Sequence, residues 1–162
     1  MLRWADFAEA AQELAVLGKE RFARAGIVLV GTIRKDGTPR ISPVEYYEVE
    51  GHLMLGMMWQ SFKARDLFRD PRCLVHSVVT SRAGDEGEFK LRGRAVPIED
   101  PALREAYGDA TEAEIGWRPT GDFHLFSLDI AEAAFVIYEE DEQRTTRWTK
   151  DGGVTRKVGS AG

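Results

Sequence analysis

The feature that most constrains this chain is a succession of apolar, β-branched runs separated by very tight turns. Ile27-Val28-Leu29-Val30-Gly31-Thr32-Ile33 has the composition of a buried strand. Lys35-Asp36-Gly37-Thr38 follows, and its Asp-Gly pair suits a turn that needs positive φ. Arg40 to Val49 reads as the returning strand, Glu50-Gly51 as the next turn, and Leu53 to Met58 as the third strand. Pro43 interrupts the ladder of the second strand, which implies an edge, a bulge or a spot where a ligand replaces a strand partner.

The rest of the chain continues the pattern. Trp4 to Arg24 reads as a leading helix, with Phe7, Ala10, Ala11, Leu14, Leu17 and Phe22 at three-to-four spacing and Gly26 as its stop. Cys73 to Thr80 is a fourth strand, Ser81 to Gly87 a polar loop, and Glu88 to Ile98 alternates as a half-buried strand should. Asp100 and Pro101 open a short helix to Tyr107, and Glu112 to Gly121 is irregular. Phe123 to Leu128 and Ala133 to Tyr138 are strands, with Thr145 to Thr149 as another. The sum is a mainly β, α+β chain of six or seven antiparallel strands, with one leading helix and two short ones, in a barrel or a sandwich. Residues 1–150 are expected to form a single domain and 151–162 a Gly-rich, mobile tail.

Charge and composition exclude several function classes. Lys plus Arg number 22 against 27 Asp plus Glu, a net charge of −5, which argues against a general nucleic-acid binder. Cys73 is the only cysteine, so no intrachain disulfide forms. No apolar run approaches the ~20 residues of a membrane span, and the first residues carry no apolar signal core, so a cytoplasmic protein is expected. His52, His76 and His124 form no metal-ligand spacing, and no GxSxG elbow, Walker loop or Rossmann fingerprint occurs. Glu139-Glu140 sits in an acidic run that reads as a solvated turn. With no self-contained catalytic constellation, an enzyme of this sequence would depend on a cofactor for its chemistry.

The run Trp59-Gln60-Ser61-Phe62-Lys63-Ala64-Arg65-Asp66-Leu67 is the strongest functional signal. It follows a strand and stops at Asp70-Pro71, so it reads as a short helix capped by Ser61. Cations at Lys63 and Arg65 oppose the helix dipole, yet a hydroxyl, free N–H groups and two cations together suit a bound phosphate. A solvated helix whose cations pair with Asp66 and Asp70 is the alternative.

Three passages resemble the pyridoxamine 5′-phosphate oxidase-like superfamily of flavin-binding split β-barrels. They are Gly31 to Val44, Gly56 to Leu67 with Asp70-Pro71-Arg72, and Phe89-Lys90-Leu91-Arg92-Gly93-Arg94-Ala95. The resemblance implies a split barrel and a homodimer that binds FMN in a groove between subunits, with hydride transfer to a small organic substrate. By position, Ser61, Lys63 and Arg65 would hold the cofactor phosphate, and Ser42, Pro43 and Val44 would lie along the ring. Met57, Met58 and Trp59 would border ring and ribityl chain, Arg40 would lie close to cofactor or substrate, and Trp148 would close the pocket from the second subunit. Catalytic residues are not assigned; Arg40 or Tyr46 is a candidate to steady an oxyanion. The C-terminal Arg-x-His-type motif of true pyridoxamine phosphate oxidases is missing. The chain looks more like short members with a Phe-His-Leu-Phe strand, here Phe123 to Phe126. The resemblance also admits a deazaflavin cofactor, with Lys90, Arg92 and Arg94 as a stripe for its anionic tail. It admits as well a non-enzymatic flavin or haem carrier with His52, His76 or His124 as axial ligand.

Overall fold

The computed structural model describes residues 1–160. Six antiparallel strands close a barrel: β1 (Ile27–Ile33), β2 (Pro39–Val49), β3 (His52–Met58), β4 (Arg72–His76), β5 (Glu88–Pro97) and β6 (Phe123–Glu139). Their order is β3-β2-β1-β4-β5-β6, and a β3–β6 pairing closes the ring. The barrel expected from the sequence is therefore present, and its first hairpins sit where the Asp36-Gly37 and Glu50-Gly51 turns place them.

β6 makes the barrel a split one. Its 17 residues pair with β5 from Phe126 to Val136. On its other edge β3 takes Phe123 to Ser127, and β7 (Glu142–Thr149) takes Glu132 to Glu139. The edge between the two partners would leave polar backbone groups unpaired, a costly state when buried. Other segments fill the gap. Leu2 O accepts from the Ile130 N–H at 2.9 Å, Leu2 N–H donates to Asp129 Oδ1 at 2.7 Å, and Lys150 N–H donates to Ala131 O at 3.3 Å. The sequence suggests two strands here because Asp129 to Glu132 breaks the apolar run. A bulge opposite Arg92 and Gly93 absorbs that break and keeps β6 continuous.

Helices cover the barrel. The single leading helix expected from Trp4 to Arg24 is two, α1 (Trp4–Ala10) and α2 (Gln12–Ala25), divided at Ala11 with φ −144° and ψ 60°. They bury Trp4, Phe7 and Phe22 against Phe89 of β5, with ring centroids 5.2 to 6.4 Å apart. α3 (Phe62–Arg69) follows β3, and α4 (Pro101–Ile115) bridges β5 and β6. α4 runs well past the expected stop at Tyr107 and ends at Gly116, φ 68°. The buried Thr111 hydroxyl donates to Gly108 O at 2.9 Å, and Tyr107 and Ala110 pack on Val49, Met54, Ile98 and Leu125. Packing here overrides the weak helical propensity of Gly108-Asp109.

The expected tail also differs. Gly153–Ser160 form β8, paired along β7 from Glu142↔Ser160 to Thr149↔Gly153. Residues 161–162 of that expected tail lie outside the described residues. No described helix is long and apolar enough to cross a membrane.

Candidate functional site

β2 and β3 hold hands only at their turn. They pair from Tyr46↔Leu55 to Val49↔His52 and then diverge. Beyond that point β2 pairs with β1 alone, through Val30↔Ser42, Leu29↔Pro43 and Val28↔Val44. Pro43 thus sits on an edge, one of the three readings its sequence allows. Ser42, Pro43 and Val44 present a backbone edge with no strand partner among the described residues; the Val44 side chain itself turns into the core. β3 meanwhile turns to β6, with Met57↔His124 and Met58↔Phe123. A cavity of about 440 Å³ opens at the divergence, lined by Glu45, Met57, Met58 and Trp59 among others. Its floor is Tyr107, packed so closely on Gly56 that a Cβ there would lie 2.0 Å from the tyrosine Oη. Burial raises the Tyr107 pKa and keeps its hydroxyl protonated.

The chain passes from β3 into α3 through a strained turn. Gln60 takes φ 56°, unusual for a side chain of its size. His124 holds it there: its Nε2 accepts the Gln60 N–H at 3.1 Å, and its ring stacks on Trp59 with centroids 4.4 Å apart. Phe68 meets the same ring edge-on at 5.0 Å. Burial, aided by the Arg104 charge, holds His124 below its usual pKa, so the neutral ring can accept. The sequence offers His124 as a member of the Phe-His-Leu-Phe strand and as one of three candidate axial ligands, with no sign of a contact to Gln60. Its register opposite Met57 gives it this positioning role.

Ser61 caps α3, but its side chain takes none of the helix N–H groups. Its Oγ is buried and has no hydrogen-bond partner among the described residues. No acidic residue occupies the first turn. Lys63 forms no ion pair among the described residues; the carboxylates that would have taken it are occupied. Asp66 accepts from Arg40 Nε at 2.7 Å, Arg69 Nη2 at 2.9 Å and the Thr32 hydroxyl at 2.9 Å, and Asp70 binds Arg72 at 2.6 Å. The sequence alternative, Lys63 and Arg65 paired with Asp66 and Asp70, is not the arrangement found.

Arg65 does not join Ser61 and Lys63. At about 100° per residue, Lys63 and Arg65 leave the helix on opposite sides, about 160° apart. Arg65 instead lines a separate cavity of about 560 Å³ with Arg34, Lys35, Arg40 and Arg69, beside Phe62. Arg40, bound to Asp66, lies over the Phe62 ring at 5.3 Å. Trp148 is not brought to the cleft either. It is 3% exposed and packed edge-on against Phe7 at 5.2 Å, on the core side of this chain. Tyr46 packs on Phe22 away from the cleft, its hydroxyl pushed up to about 12 by burial and the nearby Glu48 and Glu114 charges. In the Lys90-Arg92-Arg94 stripe, Lys90 binds Glu88 at 2.7 Å and Arg92 binds Glu132 at 2.8 Å. His52 bonds Ser127 Oγ at 2.8 Å and His76 bonds Ser77 O at 2.6 Å. No metal-ligand cluster occurs among the described residues.

The Asp66 knot fixes α3 to the β1–β2 hairpin. Burial pushes the Asp66 carboxyl up, but bonds from Arg40, Arg69 and Thr32 outweigh it and hold the pKa below the ordinary value. A depressed folded pKa gives stability that is complete above the unfolded value of about 3.9 and is lost as pH falls through the folded one. Asp66→Asn is expected to cost about 2–3 kcal/mol at neutral pH, less than a fully buried pair because both arginines are partly exposed. Urea unfolding at pH 7 and at pH 3 checks this, with the gap between variant and wild type narrowing in acid.

A family model for pyridoxamine 5′-phosphate oxidase matches residues 18–137. No curated protein matches the chain. Among solved structures, the chain is similar to PhzG from Burkholderia lata in complex with tetrahydrophenazine-1-carboxylic acid. The TM-score is 0.64 at 15% identity, over 97% of this chain and 93% of that one. A pyridoxamine 5′-phosphate oxidase-related, FMN-binding protein from Nostoc punctiforme gives 0.64 at 13% identity, over 93% and 96%. A heme-binding protein from Mycobacterium smegmatis gives 0.57 at 22% identity, over 90% of this chain and 57% of that one. At such identities the likeness is one of fold.

Proposed function

This chain belongs to the pyridoxamine 5′-phosphate oxidase family, and on that premise we propose that it is an FMN-dependent oxidoreductase acting on a small organic substrate. The observation that carries the reading is the buried Ser61 Oγ, without a partner among the described residues, at a helix start with no acidic residue and beside Lys63, which forms no ion pair among those residues. A phosphate dianion would satisfy the hydroxyl, the free N–H groups and the cation together. The flavin ring has apolar faces and a polar rim. Met58 and Trp59 would offer it an apolar wall, and the free β2 edge at Ser42, Pro43 and Val44 would meet the rim. FMN supplies the hydride chemistry when bound. The chain's own part is to fix the phosphate, wall the ring from water and keep the neutral Tyr107 hydroxyl beside it.

A second copy of the chain would complete the groove. Ile41, Met58 and Phe62 are 71%, 78% and 69% exposed, an apolar rim that a homodimer would cover. Vitamin B6 oxidation does not fit these residues. The chain lacks the Arg-x-His-type motif, Arg147 is bound to Glu132 at 2.7 Å, and Trp148 is in the core.

The cavity holding Arg65 favours one second reading. Five cations line it against Asp36 and Asp66, a setting suited to the longer anionic tail of a deazaflavin cofactor.

Titrating purified protein with FMN, with a deazaflavin cofactor and with hemin tests these readings. Quenching of FMN fluorescence at stoichiometric binding is the expected result. Binding of the deazaflavin or hemin with no response to FMN would overturn it.

A further inference from the structure

Resting on that FMN reading, we propose that the cleft of about 440 Å³ selects a flat organic cation, of the class of aromatic amines and N-alkylated heterocycles, and rejects carboxylates and phosphates. Beyond the Met58 and Trp59 wall that the flavin ring would take, the cleft continues along Trp117, Pro119 and Phe123, and this end is the one left for a substrate. The cleft's only charged lining residues are Glu45 and Asp122, and neither carboxylate has an ion-pair partner among the described residues. Among the described residues of one chain, no lysine, arginine or histidine lines it.

The nearest cations in sequence are turned away and tied. Arg118, which follows Trp117, is clamped by Glu105 at 3.0 Å, Glu112 at 3.2 Å and Asp109. That clamp pins the loop after α4 and leaves the Trp117 indole 53% exposed at the cleft. Arg104 donates to Ile98 O at 3.1 Å and Phe123 O at 2.9 Å and lies over the Phe123 ring at 4.2 Å. One face of Trp59 is taken by His124 and the other would be taken by the flavin ring, so Trp117 is the indole left for a substrate. Indole faces attract cations through their quadrupole, and the effect grows when the site is desolvated. Two carboxylates at the rim add attraction for a cation and repulsion for an anion. The phosphate seat at Ser61 and Lys63 lies outside this lining, so one groove would present a positive end to the cofactor and a negative end to the substrate.

The test uses the FMN-loaded protein and a matched pair of probes, N-methylquinolinium and quinoline-2-carboxylate, followed by calorimetry. The cation is expected to bind about 10-fold or more tightly than the carboxylate, within the range of one cation–π contact plus partly screened charges. In the double variant Glu45→Gln, Asp122→Asn, both at exposed positions, the preference should fall to about 2-fold. Equal or tighter binding of the carboxylate, or an unchanged preference in the double variant, overturns the inference. The same titration on FMN-free protein separates the two readings. A protein that takes no FMN but still prefers the cation keeps the cleft assignment and loses the flavin one. A protein that takes FMN and shows no preference loses the cleft assignment alone.

Discussion

Replacing Gly93 with alanine is expected to cost about 3 kcal/mol or more and to leave much of the chain unfolded at moderate denaturant. β5 and β6 approach each other here at the bulge, and a Cβ on residue 93 would lie 2.0 Å from the Asp129 carbonyl oxygen and 3.0 Å from its carbon. Those atoms are backbone. They cannot rotate aside as a side chain would, and Asp129 is also tied to the Leu2 N–H at 2.7 Å. Relief would require the strands to part where the split is sealed by Leu2 and Lys150. A whole domain is stable by only about 5–15 kcal/mol, so this one methyl group removes a large share. Gly159→Ala is the matched control. An added Cβ there meets nothing within 4 Å, and its effect should stay within about 0.5 kcal/mol. Urea unfolding of both variants decides the matter; equal stability of Gly93→Ala and wild type would refute the close approach.

Gly93 also shows how far the sequence could be read. Its place in a Gly-x-Ala strand was visible, but the carbonyl that forbids a side chain belongs to a residue 36 positions away. The same division runs through the chain. β1, β2 and β3 were legible because apolar, β-branched runs and the tight Asp36-Gly37 and Glu50-Gly51 turns are local signals. The long α4 was not, since Gly108-Asp109 reads as a weak helix until Tyr107 and Ala110 are packed. β8 was masked by glycines, and its pairing with β7 supplies what propensity does not. In the candidate site, Ser61 and Lys63 were legible as a helix start without acid. The separation of Arg65 follows from helical geometry alone, and a count around the helix would have found it. Trp148 faces the core against Phe7, and an aromatic near the end of a strand gives no hint in the sequence of which side of the sheet it faces. His124 stood in the Phe-His-Leu-Phe strand, which says nothing of Gln60; only the β3–β6 register brings the two together.

Lys63→Ala is expected to weaken FMN binding about 10- to 100-fold, while Arg65→Ala changes it no more than about 3-fold. A hydrogen bond to a charged group contributes about 1.5–3 kcal/mol, and 1.4 kcal/mol is tenfold in affinity. Lys63 has no ion pair to lose among the described residues, so its removal should leave the stability of the cofactor-free protein within about 0.5 kcal/mol. Arg65 leaves the helix on the other side and meets the Arg34 and Lys35 cavity instead. It should matter for a deazaflavin tail and hardly for FMN. Ser61→Ala adds a third, opposed signature. Its Oγ is buried without a partner among the described residues, so deleting it relieves a desolvated group in the free protein and should be neutral or slightly stabilising there. With FMN the same hydroxyl would donate to phosphate, and its loss should weaken binding about 5- to 10-fold. A merely structural serine would lose stability and leave affinity untouched. Thermal unfolding with and without FMN, beside fluorescence titration of the three variants, reads both quantities at once. If Lys63→Ala and Ser61→Ala bind FMN as wild type does, the phosphate is held elsewhere and the helix start has only a structural role.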